Sequence, residues 1–159
     1  IGIVDFIKED LTLGDKIIIL DDVQDPGNLG TIIRSAKAFN IDTVVLSLGC
    51  VKKYNEKVVR AAQGMLFKVN VVTKDLKYFI PYLKENGYSV YGTCVTNGTD
   101  ISTLKKNKKL AVVMGNEGQG ISKDIKKELD KNVYINTNDD CESLNVAVAS
   151  SIIMYEMNK

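Results

Sequence analysis

A glycine-rich segment, residues 115–120 (GNEGQG), is a candidate ligand-binding or catalytic site. It follows an apolar run and precedes a predicted helix. Three glycines in six residues allow backbone N–H groups to approach a ligand closely. Their order, G-x-x-G-x-G, reverses the dinucleotide-binding pattern, and no phosphate-loop lysine follows. A tight turn would also explain the glycines, whereas the carboxylate of Glu117 at the apex is placed to bind a cation or another ligand.

A second polar segment, residues 25–30 (DPGNLG), follows a predicted strand and opens a predicted helix. Proteins of the α/β class place ligands beyond the carboxyl ends of their strands. We predict Asn28 as the N-cap of the helix. Arg34 lies off the apolar stripe of that helix and is one of only two arginines among 21 basic residues. The residue pattern alone favours an ordinary turn followed by a surface cation over a ligand site.

The third segment, residues 142–145 (ESLN), leads into the apolar run 146–155. A helix that is apolar nearly all round should be closely packed, within the chain or against another subunit. We predict that this helix begins at Ser143, which would be its N-cap. The amide of Asn145, inside an otherwise apolar helix, would then need a hydrogen-bond partner.

Short apolar runs alternate with amphipathic stretches, which predicts an α/β domain with a mainly parallel sheet flanked by helices. The predicted strands are residues 16–20, 43–46, 67–72, 89–93, 110–114 and 132–135. The predicted helices are residues 29–40, 55–64, 75–86, 122–129 and 143–157. Pro81 should begin or kink the third helix.

The composition excludes several classes of catalytic and binding site. The 159 residues suit one domain, and the absence of histidine excludes imidazole bases, His-activated nucleophiles and most catalytic zinc sites. The net charge of +1 does not indicate a partner. Cysteines at 50, 94 and 141 lack a C-x-x-C spacing, so we expect reduced thiols, a cytoplasmic location and no metal site. No apolar run reaches the roughly 20 residues of a membrane span. The basic run at 105–109 is interpreted as a solvated loop rather than a nucleic-acid contact.

Taken together, the three polar segments resemble the SpoU-type (TrmH-like) ribose 2'-O-methyltransferases of the SPOUT superfamily. Residues 28–36 match the motif N-x-G-x-x-x-R-[ST]-A, residues 115–120 match G-N-E-G-x-G, and residues 142–149 match E-S-L-N-V-[AS]-V-A. Residues 60–64 are a lesser match, and the similarity covers about residues 15–158. One loop differs, because the family has Pro-Met-x-Gly after Ile135, where this chain has residues 136–139 (NTND).

The resemblance implies a SPOUT-type fold whose C-terminal segment forms a deep trefoil knot. It also implies a homodimer with an active site shared across the interface, S-adenosylmethionine as methyl donor, and RNA as substrate. We expect ribosomal RNA rather than tRNA, because residues 1–10 look like a linker or the tail of an N-terminal RNA-binding domain, with residues 11–159 as the catalytic domain. No metal is implied.

The resemblance also implies roles for individual residues, which the motifs carry over to this chain. The catalytic group would be Arg34, Asn28, Glu117, Ser143 and Asn145. The donor-binding group would be Thr93, Gly115, Asn116, Ile135 and Leu144. Arg34 would contact the ribose hydroxyl as activator or oxyanion stabiliser, with Glu117 and Asn145 orienting it. A catalytically silent RNA-binding homologue, a tRNA methyltransferase and a nucleotide-binding oxidoreductase are the alternatives.

Overall fold

A single parallel sheet forms the centre of the computed structural model, which describes residues 6–9, 12–95, 97–103, 108–138 and 140–159. Its spatial order is β3-β2-β1-β6-β4-β7-β5. The strands are β1 (Lys16–Leu20), β2 (Thr43–Leu46), β3 (Asn70–Thr73), β4 (Ser89–Thr93), β5 (Thr99–Asp100), β6 (Leu110–Met114) and β7 (Lys131–Tyr134). The prediction of a mainly parallel sheet is confirmed, and the predicted bounds of β1, β2, β4 and β6 are confirmed to the residue.

Helices cover both faces of the sheet. They are α1 (Pro26–Ala38), α2 (Glu56–Ala62), α3 (Leu76–Glu85), α4 (Lys123–Glu128) and α5 (Val146–Asn158). Ile18 and Leu20 pack in the core with α1, α2 and α5, whereas Ile17 and Ile19 pack in the core with α3 and α4. Successive strand side chains point to opposite faces, so a strand covered on both faces must be apolar throughout. This explains the continuous apolar runs in the sequence.

Two predicted helix starts are wrong. The first helix begins at Pro26, and Asp25 is its N-cap, accepting a 2.7 Å hydrogen bond from the Asn28 backbone N–H. Proline suits the first turn of a helix because the N–H groups there have no acceptor within the helix, so the absence of one N–H costs no hydrogen bond. The cap therefore lies before Pro26 rather than at Asn28. The last helix begins at Val146 with Asn145, not Ser143, as its cap.

Other details of the structure also differ from the prediction. Residues 65–67 form a short 3₁₀ helix, so β3 begins at Asn70 rather than at Phe67. The chain turns there through left-handed conformations at Gln63 and Gly64, which end α2. Pro81 lies inside α3, so it does not begin that helix, and the kink stays a prediction. The two-residue strand β5 was not predicted, since so short a segment carries no pattern.

Several predicted features lie wholly or partly outside the described residues. They are the linker at 1–10, of which residues 6–9 are described, the basic run, which includes 105 and 106, and position 139 of the variant loop. The described part of the linker contacts the domain. Phe6 stacks on Tyr54 with ring centroids 4.6 Å apart, and Glu9 pairs with Lys53 at 2.9 Å.

Gly30 lets α1 and α2 pack closely. A Cβ at this position would lie 2.9 Å from the carbonyl oxygen of Val58 and would overlap the methyl group of Ala61. We expect Gly30→Ala to lower the free energy of unfolding by about 1–3 kcal/mol, because backbone cannot yield as a flexible side chain can. Urea denaturation measures this, with Thr31→Ala on the exposed side of the same helix as the control. Equal stability of the two variants would contradict the close packing.

Candidate active site

A cavity of about 660 Å³ lies at the carboxyl ends of β4, β6 and β7. Because the carboxyl ends of parallel strands meet at one edge of the sheet, the loops that follow these strands converge there. All five residues predicted to bind the donor line this cavity, and two of those predicted as catalytic, Glu117 and Ser143, do so as well. The five are Thr93, Gly115, Asn116, Ile135 and Leu144.

The glycine-rich segment forms a closed turn on one wall of the cavity. Asn116 and Gly120 exchange backbone hydrogen bonds of 3.1 and 2.8 Å. The side-chain oxygen of Asn116 accepts hydrogen bonds from the N–H groups of Gly118 at 2.9 Å and Gln119 at 3.2 Å. Its side-chain nitrogen donates to the carbonyl of Asp22 at 2.8 Å. Asn116 therefore holds the turn in shape and ties it to the end of β1.

The three polar segments meet in one hydrogen-bonded group, Asn28–Glu117–Asn145. The amide nitrogen of Asn28 donates to the Glu117 carboxylate at 2.6 Å, and its amide oxygen accepts from Asn145 at 3.0 Å. The amide oxygen of Asn145 accepts from two N–H groups at the start of α5, the nearer at 2.9 Å. Both amides thus have fixed orientations, and Glu117 extends the group to the cavity wall.

Arg34 stands apart from this group. Its side chain is exposed, it is not in the cavity lining, and no described residue forms an ion pair with it. It lies six positions after Asn28 along α1, a rise of about 9 Å at 1.5 Å per residue. Within one chain, therefore, Glu117 and Asn145 bind Asn28 and do not orient Arg34.

Helices α1 and α5 meet next to Arg34. The hydroxyl groups of Ser35 and Ser151 lie 2.8 Å apart across this contact. On α5, two large apolar side chains are exposed to solvent, Val148 at 50% and Tyr155 at 49%. An apolar surface therefore adjoins the exposed arginine.

The variant loop after Ile135 still contributes to the cavity. Asn138 stabilises a turn, because its side-chain oxygen accepts from Asp140 N–H at 2.9 Å and its carbonyl accepts from Cys141 N–H at 2.9 Å. Thr137 lines the cavity beside Ile135.

The sequence did not single out three residues that matter here. Asp25 caps α1, and an aspartate directly before a proline is a pattern that could have predicted this cap. Asp21 is buried and accepts a 2.8 Å hydrogen bond from Ser122 N–H, which fixes the chain after the glycine turn. Lys126 lines the cavity, and nothing in the spacing indicated that it would.

Loss of the Asn28 side chain should weaken the group it joins. We expect Asn28→Ala to cost about 1 kcal/mol of folding free energy, because the Glu117 carboxylate and the Asn145 amide each lose a partner in a half-exposed site. Thermal unfolding measures the change, with Thr31→Ala, at an exposed position of the same helix, as the control. A melting temperature unchanged relative to the wild type would show that the group does not stabilise the fold.

The described residues contain no cluster of three His, Cys, Asp or Glu side chains able to hold a metal ion. In the same part of the chain, no helix combines the length and the apolar character that crossing a bilayer requires.

Comparison with known proteins identifies the family. The model of the SpoU rRNA methylase family matches residues 15–155. The chain is 40% identical over 150 residues to the 23S rRNA (guanosine(2553)-2'-O)-methyltransferase RlmP of Bacillus subtilis, covering 94% of this chain and 60% of that protein. The chain thus spans about three-fifths of the length of this curated relative.

Solved structures agree with this assignment. An AdoMet-bound rRNA methyltransferase from Sinorhizobium meliloti superposes with a TM-score of 0.85 at 30% identity, covering 94% of this chain and 56% of that one. A TrmH/SpoU tRNA modifying enzyme from A. aeolicus shares the fold, with a TM-score of 0.79 at 24% identity over 91% of this chain and 74% of its own. The resemblance predicted from the three motifs is confirmed: the chain belongs to the SpoU rRNA methylase family.

Proposed function

We propose that the chain transfers a methyl group from S-adenosylmethionine to a ribose 2'-hydroxyl of RNA. The observation that carries this proposal is the meeting of Asn28, Glu117 and Asn145, one residue from each family motif, at the wall of a cavity. The activity printed in the name of the Bacillus subtilis relative supports it.

The cavity suits the donor in size and chemistry. Its volume of about 660 Å³ lies within the range of small-molecule sites. Thr93, Ile135 and Leu144 offer apolar and backbone contacts for the adenosine part. Gly115 brings backbone close to the site, and the carboxylate of Glu117 suits a cationic ligand. When bound there, the donor supplies an electrophilic methyl group on a sulfonium.

The side chains of this chain then need to position the hydroxyl and stabilise negative charge on its oxygen. We assign the second task to Arg34, because an arginine keeps its proton at neutral pH and so stabilises an oxyanion better than it removes a proton. Asn28, Glu117 and Asn145 hold the wall against which the hydroxyl is positioned. Ser143 contacts the donor or the target nucleotide from the cavity lining.

We propose further that the active chain is a homodimer in which Arg34 completes the site of the other copy. Two observations support this. Arg34 lies outside the cavity of its own chain. The adjoining surface of α5 exposes Val148 and Tyr155, which a second copy would bury.

The deep trefoil knot is also a proposal. β7 lies beyond β4 in the sheet, yet Asn145 contacts Asn28 and α5 packs near α1. The chain after β7 must therefore return across the carboxyl ends of β4 and β6 toward β1. Such a crossing beside the loops of those strands is what threading the C-terminal segment through a loop requires.

The substrate we propose is ribosomal RNA, the substrate class of the Bacillus subtilis relative. The second candidate is tRNA, the substrate class of the A. aeolicus enzyme that shares the fold. The third candidate is a catalytically silent RNA-binding homologue. Such a protein would have no catalytic need for the Asn28–Glu117–Asn145 group or for the exposed Arg34.

The experiment is incubation of the chain with methyl-tritiated S-adenosylmethionine and either ribosomal RNA or tRNA, followed by alkaline hydrolysis. A 2'-O-methyl group blocks cleavage of the next phosphodiester bond, so we expect label in alkali-resistant dinucleotides from ribosomal RNA. Label in mononucleotides would indicate base methylation and contradict the proposal. Transfer to neither RNA, by a chain that binds both donor and RNA, would favour the silent homologue.

A further inference from the structure

The cavity carries an uneven set of charges. Among the described residues that line it, Glu117 and Glu142 are the carboxylates and Lys126 is the single cation. S-adenosylmethionine has two positive groups, the sulfonium and the ammonium, and one negative group, its carboxylate. The charges of the lining are thus the complement of those of the donor proposed above, on which this inference rests.

Lys126 lies on α4, next to the chain that follows β4. Burial raises the pKa of the Cys94 thiol, and the positive charge of Lys126 acts in the opposite direction, which places the ammonium near that thiol. Cys94 itself lines the cavity. Lys126 and the end of β4 therefore border the same side of the cavity.

Lys126 also differs from its neighbours on the same face of the fold. Lys127 pairs with Asp124 at 3.4 Å, and Lys84 pairs with Asp130 at 3.3 Å. Lys126 forms no ion pair with any residue in the described ranges. A cation that lacks a carboxylate partner and lines a cavity can accept one from a ligand.

The position of Lys126 fixes which end of the donor it would meet. Glu117 contacts Asn28, on the β1 side of the cavity, whereas Lys126 adjoins the end of β4, and β6 lies between β1 and β4 in the sheet. The carboxylate of the donor and the Asn28–Glu117–Asn145 group would thus lie on different sides. We propose that Lys126 binds the carboxylate of the methionine part of the donor and so orients the methyl group toward Glu117.

Titration calorimetry with S-adenosylmethionine and its decarboxylated analogue tests this. Lys126→Gln keeps most of the side-chain length and removes the charge. We expect it to weaken S-adenosylmethionine binding by roughly fivefold, in line with a partly exposed ion pair, and to leave binding of the analogue unchanged. Lys126→Arg should restore the preference. Lys127→Gln, one residue along and outside the cavity lining, should behave as the wild type.

Any of three results would overturn the assignment, the third of them from a parallel measurement of RNA binding. An equal loss of affinity for both compounds, or no loss for either, would show that Lys126 does not contact the carboxylate. A loss of RNA affinity alone would assign Lys126 to an RNA phosphate instead. If the wild-type chain bound neither compound, S-adenosylmethionine would not be its methyl donor. That outcome is measured with the wild type alone, so it is distinguishable from a failure of the role assigned to Lys126.

Discussion

Arg34→Ala should abolish methyl transfer while the affinity for S-adenosylmethionine stays within about twofold of the wild type. Removal of a single group that stabilises a developing oxyanion costs roughly 100- to 1000-fold in rate. Donor affinity should be nearly unaffected because Arg34 is assigned to the ribose hydroxyl, and the residues assigned to the donor, among them Thr93 and Gly115, are unchanged in the variant. Turnover is measured with tritiated donor, and the affinity by titration calorimetry.

Lys37→Ala is the matched control for Arg34, since Lys37 is exposed on the same helix one turn further along. It should lose little activity, because a general loss of positive charge would weaken RNA binding without affecting the reacting hydroxyl. Full turnover by Arg34→Ala would refute the role assigned to the arginine. Equal losses in the two variants would reduce Arg34 to an RNA-binding cation.

Gly115→Ala should abolish donor binding, with the dissociation constant raised at least about 100-fold and the fold destabilised by about 1–3 kcal/mol. A Cβ at this position would lie 2.7 Å from the carbonyl oxygen of Gly120 and would overlap the backbone of Ile121. The two halves of the glycine turn would have to separate, and the cavity wall would move with them. Calorimetry measures the binding, and thermal unfolding reports on the fold.

Gly118→Ala separates this effect from a general disturbance of the turn. A Cβ at Gly118 would make an ordinary contact, 3.6 Å from the side-chain oxygen of Asn116. We therefore expect a much smaller change in donor affinity from Gly118→Ala. If Gly115→Ala bound the donor as tightly as the wild type, the close approach of backbone at Gly115 would not be what shapes the site.

The sequence predicted the strands well where burial on both faces left a clear signal. β1 and β6 are apolar almost throughout and are followed directly by Asp21 and Gly115, so their bounds could be placed to the residue. β5 could not be found, because two residues carry neither a run nor an alternation. The error at Phe67 has a local cause: Gln63 adopts a left-handed conformation that its residue type does not predict.

The candidate site was predictable only in part. The motifs identified its members, but Asn28 and Glu117 are 89 positions apart, and Asn28 and Asn145 are 117 apart. Contacts at such separations depend on the strand order, which no local pattern encodes. The separation of Arg34 from Asn28, by contrast, follows from their six-position spacing along one helix, and the sequence could have predicted it.

Subunit mixing tests most directly whether Arg34 completes the site of a second copy. Arg34→Ala and Glu117→Ala chains, each inactive alone, are mixed in equal amounts, unfolded and refolded together. If Arg34 acts across a two-fold dimer, half of the dimers carry one intact site, and about a quarter of the wild-type activity should return. A mixture no more active than the separate variants would contradict a shared site.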